Sequence, residues 1–196
     1  MGNLWSVASA VRHLGAEPHV TDSPNEISVA RILILPGVGS FRRAMEIIRA
    51  KSIDAAIFNA LTQPSTKLLG ICLGMQLLGS ASTEDGATAG LCLVPNVVRR
   101  FESTDQCRLK IPHVGFSEVY HRSDTHLFSD IPSGACFYFV HSYYMAVEGL
   151  TSGIATSDHG TNFLAAFENS QVSGTQFHPE KSQSSGLMLL NNFIKE

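Results

Sequence analysis

The sequence predicts an α/β fold: a three-layer, open, mostly parallel sheet with helices on both faces, followed by a β-rich second half. Two patterns carry that expectation. Up to Ser80, short all-apolar runs alternate with segments of helical spacing, as in chains that cross back over a parallel sheet. Beyond Leu91, brief segments rich in Val, Phe, Tyr and Thr are separated by Gly, Pro, Ser and Asp, which reads as short strands joined by turns. The chain has 196 residues, 44% of them hydrophobic, with no internal repeat, low-complexity tract or linker, so one domain over 1–196 is expected.

Taken in order, residues 6–14 show helical spacing, with Val7, Ala10, Val11 and Leu14 on one face and Gly15 as the stop. A short strand is expected around 18–20. Residues 32–35 (ILIL) form a run suited to a strand buried on both faces, ended by PGVGS. Helices are expected at 41–50 and 53–61, a second buried strand at 67–71 and a further helix at 75–80. Short strands follow within 91–101, 110–120, 136–147, 152–158, 162–169 and 172–180. A helix at 185–194, with Leu187, Leu190 and Ile194 on one side, closes the sequence.

Composition excludes several function classes. A formal net charge of -3 and the lack of a basic stripe argue against nucleic-acid binding. No apolar run approaches the ~18 residues a membrane span needs. The opening MGNLWS fits a lipidation pattern, but no polybasic patch accompanies it, so no membrane anchoring is expected. The cysteines, Cys72, Cys92, Cys107 and Cys136, form no CxxC pair, which supports neither a metal site nor a dithiol. With no secretory signal pattern, reduced thiols and a cytoplasmic location are expected.

The chemistry concentrates in three short motifs. GICLG, residues 70–74, has the form of a nucleophile elbow with cysteine in the centre. Such a strand-to-helix turn needs small neighbours, exposes the thiol and places it at a helix N-terminus, where the thiolate is favoured. The N–H of Leu73 then faces a developing oxyanion. A cysteine nucleophile needs a base, and His178 in TQFHPEKS is the candidate. Glu180, two residues on, points the same way in an extended segment and orients the imidazole. PGVGS, residues 36–40, lacks the GK[ST] of a phosphate loop, and its flexible amides suit an oxyanion hole.

Taken together, PGVGSF, GICLGMQLL, KIPHVG, YFVHSYY and GTQFHPEKSQ, in that order, resemble the class I (triad) glutamine amidotransferases, of flavodoxin-like fold, and more narrowly the glutaminase subunits of imidazole glycerol phosphate synthases. The resemblance implies that Cys72 attacks the side-chain amide of L-glutamine, that His178 moves protons and that Glu180 orients His178. It implies that Gly37, Val38 and Gly39 stabilise the oxyanion, with a peptide flip at Val38 or Gly39 on activation. It places Gln76, Ser142 and Tyr143 where the glutamine head is held, and Gly2, Asn3 and Lys181 near a partner. That partner would be a (βα)8-barrel cyclase forming a heterodimer, which receives the ammonia in histidine biosynthesis. No cofactor or metal is implied.

Two departures leave alternatives open. Family members begin with an apolar strand before a Y-G-x-G-N segment, and Met1, Gly2 and Asn3 fall inside that segment, so the usual first strand is expected to be absent. Phe116 and Ser117 stand where the subfamily shows tryptophan and asparagine. A paralogue supplying ammonia to another acceptor, as in surface-polysaccharide sugar amidation, and a silent assembly subunit therefore stay open, as does a stand-alone cysteine peptidase.

Overall fold

The computed structural model describes residues 4–103, 108–122, 125–150 and 153–195. Its first half comprises α1 (Leu4–His13), α2 (Pro24–Ser28), β1 (Ile32–Gly37), α3 (Phe41–Ala50), α4 (Ile53–Ala60), β2 (Lys67–Cys72) and α5 (Leu73–Leu78). Short strands β3 (Ala81–Ser82), β4 (Thr88–Ala89) and β5 (Val97–Arg100) follow. The second half holds β6 (His113–His121), β7 (Ala135–His141), β8 (Tyr143–Met145), β9 (Ile154–Asp158), β10 (Asn162–Asn169), β11 (Val172–Thr175) and α6 (Gln183–Lys195).

Strand periodicity sorts the apolar residues of β1 and β2 onto two faces. Ile34, Leu69 and Ile71 face a cluster containing Val7 and Val11 of α1 and Leu189, Leu190 and Phe193 of α6. Leu33, Leu35 and Leu68 face the other cluster, which holds Ile27, Phe41, Met45, Ile57 and Met75 from α2 to α5. Helices thus cover both faces of a seven-stranded sheet ordered β1-β2-β11-β10-β9-β6-β7. A four-stranded sheet, β4-β3-β5-β8, flanks it.

The large sheet is mixed rather than mostly parallel. Only the β1–β2 and β2–β11 pairings are parallel; the four remaining pairings are antiparallel. Connection length explains the change. The early strands are separated by helices long enough for a crossover, whereas β9, β10 and β11 are joined by tight turns that force antiparallel neighbours.

The strand expected around 18–20 does not form. Among the described residues β1 is an edge strand, and a largely apolar cavity of about 510 Å³ separates it from this segment. Val7, Val11, Pro18, Val20, Leu33 and Ile34 are among the residues lining that cavity. Residues 18–20 therefore have no backbone ladder to join, and Pro18 has no N–H to offer. The helix expected at 75–80 starts directly after Cys72, because Cys72 itself is its cap.

Phe163 on β10 is fully buried and meets the rings of Phe101, His113, Phe139, His141 and Tyr144. These come from several strands and one loop, so the ring fastens the second half of the sheet. Phe163→Ala is expected to cost about 3–5 kcal/mol, read as a lower urea midpoint at unchanged slope.

Candidate active site

Cys72 ends β2 and caps α5 with φ 55° and ψ -110°, a conformation that non-glycine residues adopt only when their surroundings enforce it. The enforcing contacts are close. A Cβ on Gly74 would lie 1.7 Å from the Leu35 carbonyl oxygen, and one on Gly70 would lie 2.7 Å from the Met75 nitrogen. The two glycines let the elbow press against β1 and against its own helix, which is the geometry the GICLG motif anticipates.

Parallel register puts Gly37 opposite Cys72, so the 36–40 turn leaves β1 beside the thiol. A pocket of about 350 Å³ opens there. Cys72, Leu73 and His178 line it, with Val38 and Gly39 on one side and Gln76, Ser142 and Tyr143 on another. Gly37 sits behind the turn, where a Cβ would fall 3.1 Å from both the Gly74 nitrogen and the Leu73 Cβ.

His178 follows β11 and is locked to β7: its N–H donates to the Tyr138 carbonyl at 2.9 Å, and the Ser182 hydroxyl donates to the His178 carbonyl at 2.6 Å. Its Nδ1 lies 2.9 Å from Glu180 Oε1, with the two side chains 1% and 0% exposed. The pair meets by a different route from the extended segment expected. Pro179–Lys181 is a 3-10 turn, and the turn folds Glu180 back under the ring. Burial opposes the charged imidazolium, but hydrogen bonding to Cys72 and Glu180, and the negative charge of both, outweigh it and raise His178 to about 9.

A second group of histidines behaves oppositely. His141 Nδ1 lies 2.8 Å from the Tyr143 carbonyl, which can only accept, so this nitrogen carries the proton. His141 Nε2 then accepts from His113 Nδ1 at 3.1 Å, and His113 Nε2 accepts from the Ser117 hydroxyl at 2.8 Å. Burial lowers His113 to about 4, with the charge of His159 adding to it. Burial also lowers His141, to about 3, against the raising effect of its bond to Tyr143. Both rings are neutral at pH 7.

Several pocket residues lie outside the roles the sequence motifs suggest. Glu84 lines the pocket and accepts from the Phe41 N–H at 2.8 Å, a partnership across more than forty residues that no local pattern announces. Pro112, Val140 and His141 also line it. They lie in the quoted KIPHVG and YFVHSYY segments, so the signal is present there without an assigned role. Lys181 sits outside the pocket, 5.8 Å from the Tyr138 ring centroid. Gly2 and Asn3 lie outside the described residues. Cys72, Cys92 and Cys136 are free thiols; Cys107 lies outside the described residues. Among the described residues no group of three or more His, Cys, Asp or Glu is arranged to hold a metal, and no helix is long and apolar enough to cross a membrane.

Over residues 1–196 the chain matches the family described as glutamine amidotransferase class-I. The chain belongs to this family. The amidotransferase is 44% identical to the imidazole glycerol phosphate synthase subunit HisH of Moorella thermoacetica, over 98% of this chain and 90% of that one. It is 41% identical to the protein of the same name from Methanosarcina acetivorans, over 100% of this chain and 94% of that one. A crystal structure described as a glutamine amidotransferase matches the amidotransferase fold with a TM-score of 0.73 at 16% identity, covering 97% of this chain and 92% of the other. A glutamine amidotransferase from Thermotoga maritima matches with a TM-score of 0.67 at 15% identity, covering 96% of this chain and 90% of the other. The family membership makes this chain an enzyme, a glutamine amidotransferase.

Two titrations follow. In an NMR titration the His178 ring is expected to hold its proton to about pH 9. Glu180→Gln removes a negative charge that stabilises the imidazolium, so the midpoint moves to lower pH; an unmoved midpoint would contradict the pairing. His113 and His141 have folded values below the ordinary 6.5, so the unfolded chain takes up protons first as pH falls. Stability is expected to drop below pH 6.5, by about 1.4 kcal/mol per pH unit for each proton involved. His178 is protonated in both states there and adds no slope. Urea midpoints between pH 7 and 4 check this.

Proposed function

We propose that the chain is the glutaminase subunit of an imidazole glycerol phosphate synthase, releasing ammonia from L-glutamine for a cyclase partner in histidine biosynthesis, in the cytoplasm. The observation that carries the reading is the convergence of Cys72, the buried His178–Glu180 pair and the 37–39 turn on one pocket. Relatives of 38–44% identity named as this synthase's HisH subunit support the choice of pathway.

In this reading the Cys72 sulfur attacks the side-chain carbonyl carbon of glutamine. Negative charge develops on the carbonyl oxygen, with the Leu73 N–H and the amides of Gly37, Val38 and Gly39 as the donors that stabilise it. His178 gives its proton to the amide nitrogen, the C–N bond breaks and ammonia leaves. A glutamyl thioester remains on Cys72. His178 then takes a proton from water, the hydroxide attacks the thioester, and glutamate leaves as the sulfur is regenerated. Glu180 keeps the ring oriented and its charge balanced. Gln76, Ser142 and Tyr143 form the wall for the amino-acid head, and Glu84 supplies a carboxylate suited to its ammonium group.

Ammonia released into neutral water becomes ammonium, which is not nucleophilic, so a partner must receive it directly. The outer face of the β6–β7 hairpin offers a docking surface. Val114, Phe116 and Val140 are exposed there, the Phe116 and Tyr138 rings lie 5.5 Å apart, and Val140 also lines the pocket. We assign this face, with Lys181 beside Tyr138, to the (βα)8-barrel subunit of a heterodimer.

The test is glutamate release by the purified chain, alone and with a histidine-pathway cyclase and its nucleotide ligand. Strong stimulation by the partner, abolished in Cys72→Ala, is expected. Turnover that the partner leaves unchanged, in a chain that melts cooperatively, would assign the ammonia to another acceptor.

A further inference from the structure

Behind Cys72 lies Gln176, fully buried, absent from the pocket lining and unassigned by any motif above. Its side-chain nitrogen is 3.7 Å from Cys72 Sγ. Its backbone N–H donates to the Ala165 carbonyl at 2.8 Å, which pins the residue to β10 just past the end of β11. A bend at 176–177 follows β11, and both the Gln176 amide and the His178 ring come within hydrogen-bonding reach of the Cys72 sulfur.

The orientation of the Gln176 amide follows from a chain of hydrogen bonds that ends on the main chain. The Tyr143 carbonyl can only accept, so the Gln76 side-chain nitrogen faces it, at 2.8 Å. The same nitrogen donates its second N–H to Gln176 Oε1 at 3.0 Å. That leaves the Gln176 NH2 for Cys72. Reversing the Gln176 amide would set its oxygen against the sulfur and its NH2 against the Gln76 NH2, losing both bonds. A fully buried amide held in this sense is a fixed donor aimed at one atom.

We infer that Gln176 is a further catalytic residue of this amidotransferase: its amide N–H donates to the Cys72 sulfur and stabilises it in the negatively charged, nucleophilic state. The inference rests on the assignment of Cys72 as the nucleophile. A hydrogen bond to an anion is about twice as strong as one to a neutral acceptor, so the bond favours the thiolate over the thiol. Gln176 has no contact with the pocket space, so it acts on the sulfur and not on glutamine recognition. Gln76 spans the two functions: it lines the pocket and holds the donor in place.

The test is iodoacetamide alkylation of the full chain at pH 7, with peptide mass mapping to read Cys72 against the exposed thiols Cys92 and Cys136. In the parent chain Cys72 is expected to react faster than either. Gln176→Glu still accepts from Gln76 but turns a carboxylate toward the sulfur; Gln176→Met removes the donor at similar length. Each is expected to slow Cys72 by roughly tenfold or more, with Cys92 and Cys136 unchanged. A purely structural defect would act the other way, since loosening the site exposes a sulfur now only 7% accessible and speeds its reaction. Melting curves confirm folding, and Gln176→Met carries the test where the buried carboxylate prevents it. Folded variants whose Cys72 reacts within about twofold of the parent would overturn the inference and leave the nucleophile in place. A parent chain whose Cys72 reacts no faster than Cys92 and Cys136 would instead sink the nucleophile assignment.

Discussion

The site depends on one close approach, that of the elbow after β2 to the end of β1. Gly74 lies so near the Leu35 carbonyl that no side chain fits between them, and Gly37 packs onto Leu73 and Gly74. This contact holds Cys72 at positive φ and brings the 37–39 turn to its side in one step. Parallel pairing makes both possible, because the two strands end together, Gly37 opposite Cys72. A slip of one residue would turn every apolar side chain of β1 to the opposite face and separate the turn from the thiol. The two helix layers, which read those faces separately, hold the register.

Around this frame the protein keeps buried histidines in opposite charge states. His178 faces a carboxylate and a sulfur, so its proton is retained against the cost of burial. His141 faces a backbone carbonyl and a second imidazole, so burial wins and the ring is neutral. The contrast shows that partner chemistry, more than depth, sets the charge. It also explains why the His178–Glu180 pair is fully enclosed: a solvated carboxylate would be screened and would hold the imidazolium more weakly.

Much of the site is legible in the sequence because its parts are local. GICLG encodes a turn in five consecutive residues, and FHPE encodes the His178–Glu180 pair in four. PGVGS encodes a loop at a strand end. What is not legible is non-local. Glu84 meets the N-terminus of α3 through a bond spanning 43 residues, and Gln176 meets Gln76 across 100. Sheet direction in the second half also escapes a reading by pattern, since the parallel rule fails past the point where helices stop separating the strands. The strand expected near Pro18 fails for a related reason. A strand exists only beside another strand, and a cavity stands between this segment and β1.

Two networks end on the same atom, the Tyr143 carbonyl. One comes from the Cys72 sulfur through Gln176 and Gln76; the other comes from Ser117 through His113 and His141. Tyr143 opens β8 in the small sheet, and Ser142 alone links it to His141, the last residue of β7 in the large sheet. The pocket wall therefore sits where the chain passes between sheets, where regular ladder bonds are interrupted and side chains must supply the order. β6 serves this junction with alternate residues. His113 and Ser117 point inward to the histidine chain, while Val114 and Phe116 point outward to the exposed apolar face. One strand thus presents the proposed partner surface on one side and, through two neutral imidazoles, fixes the wall of the pocket on the other.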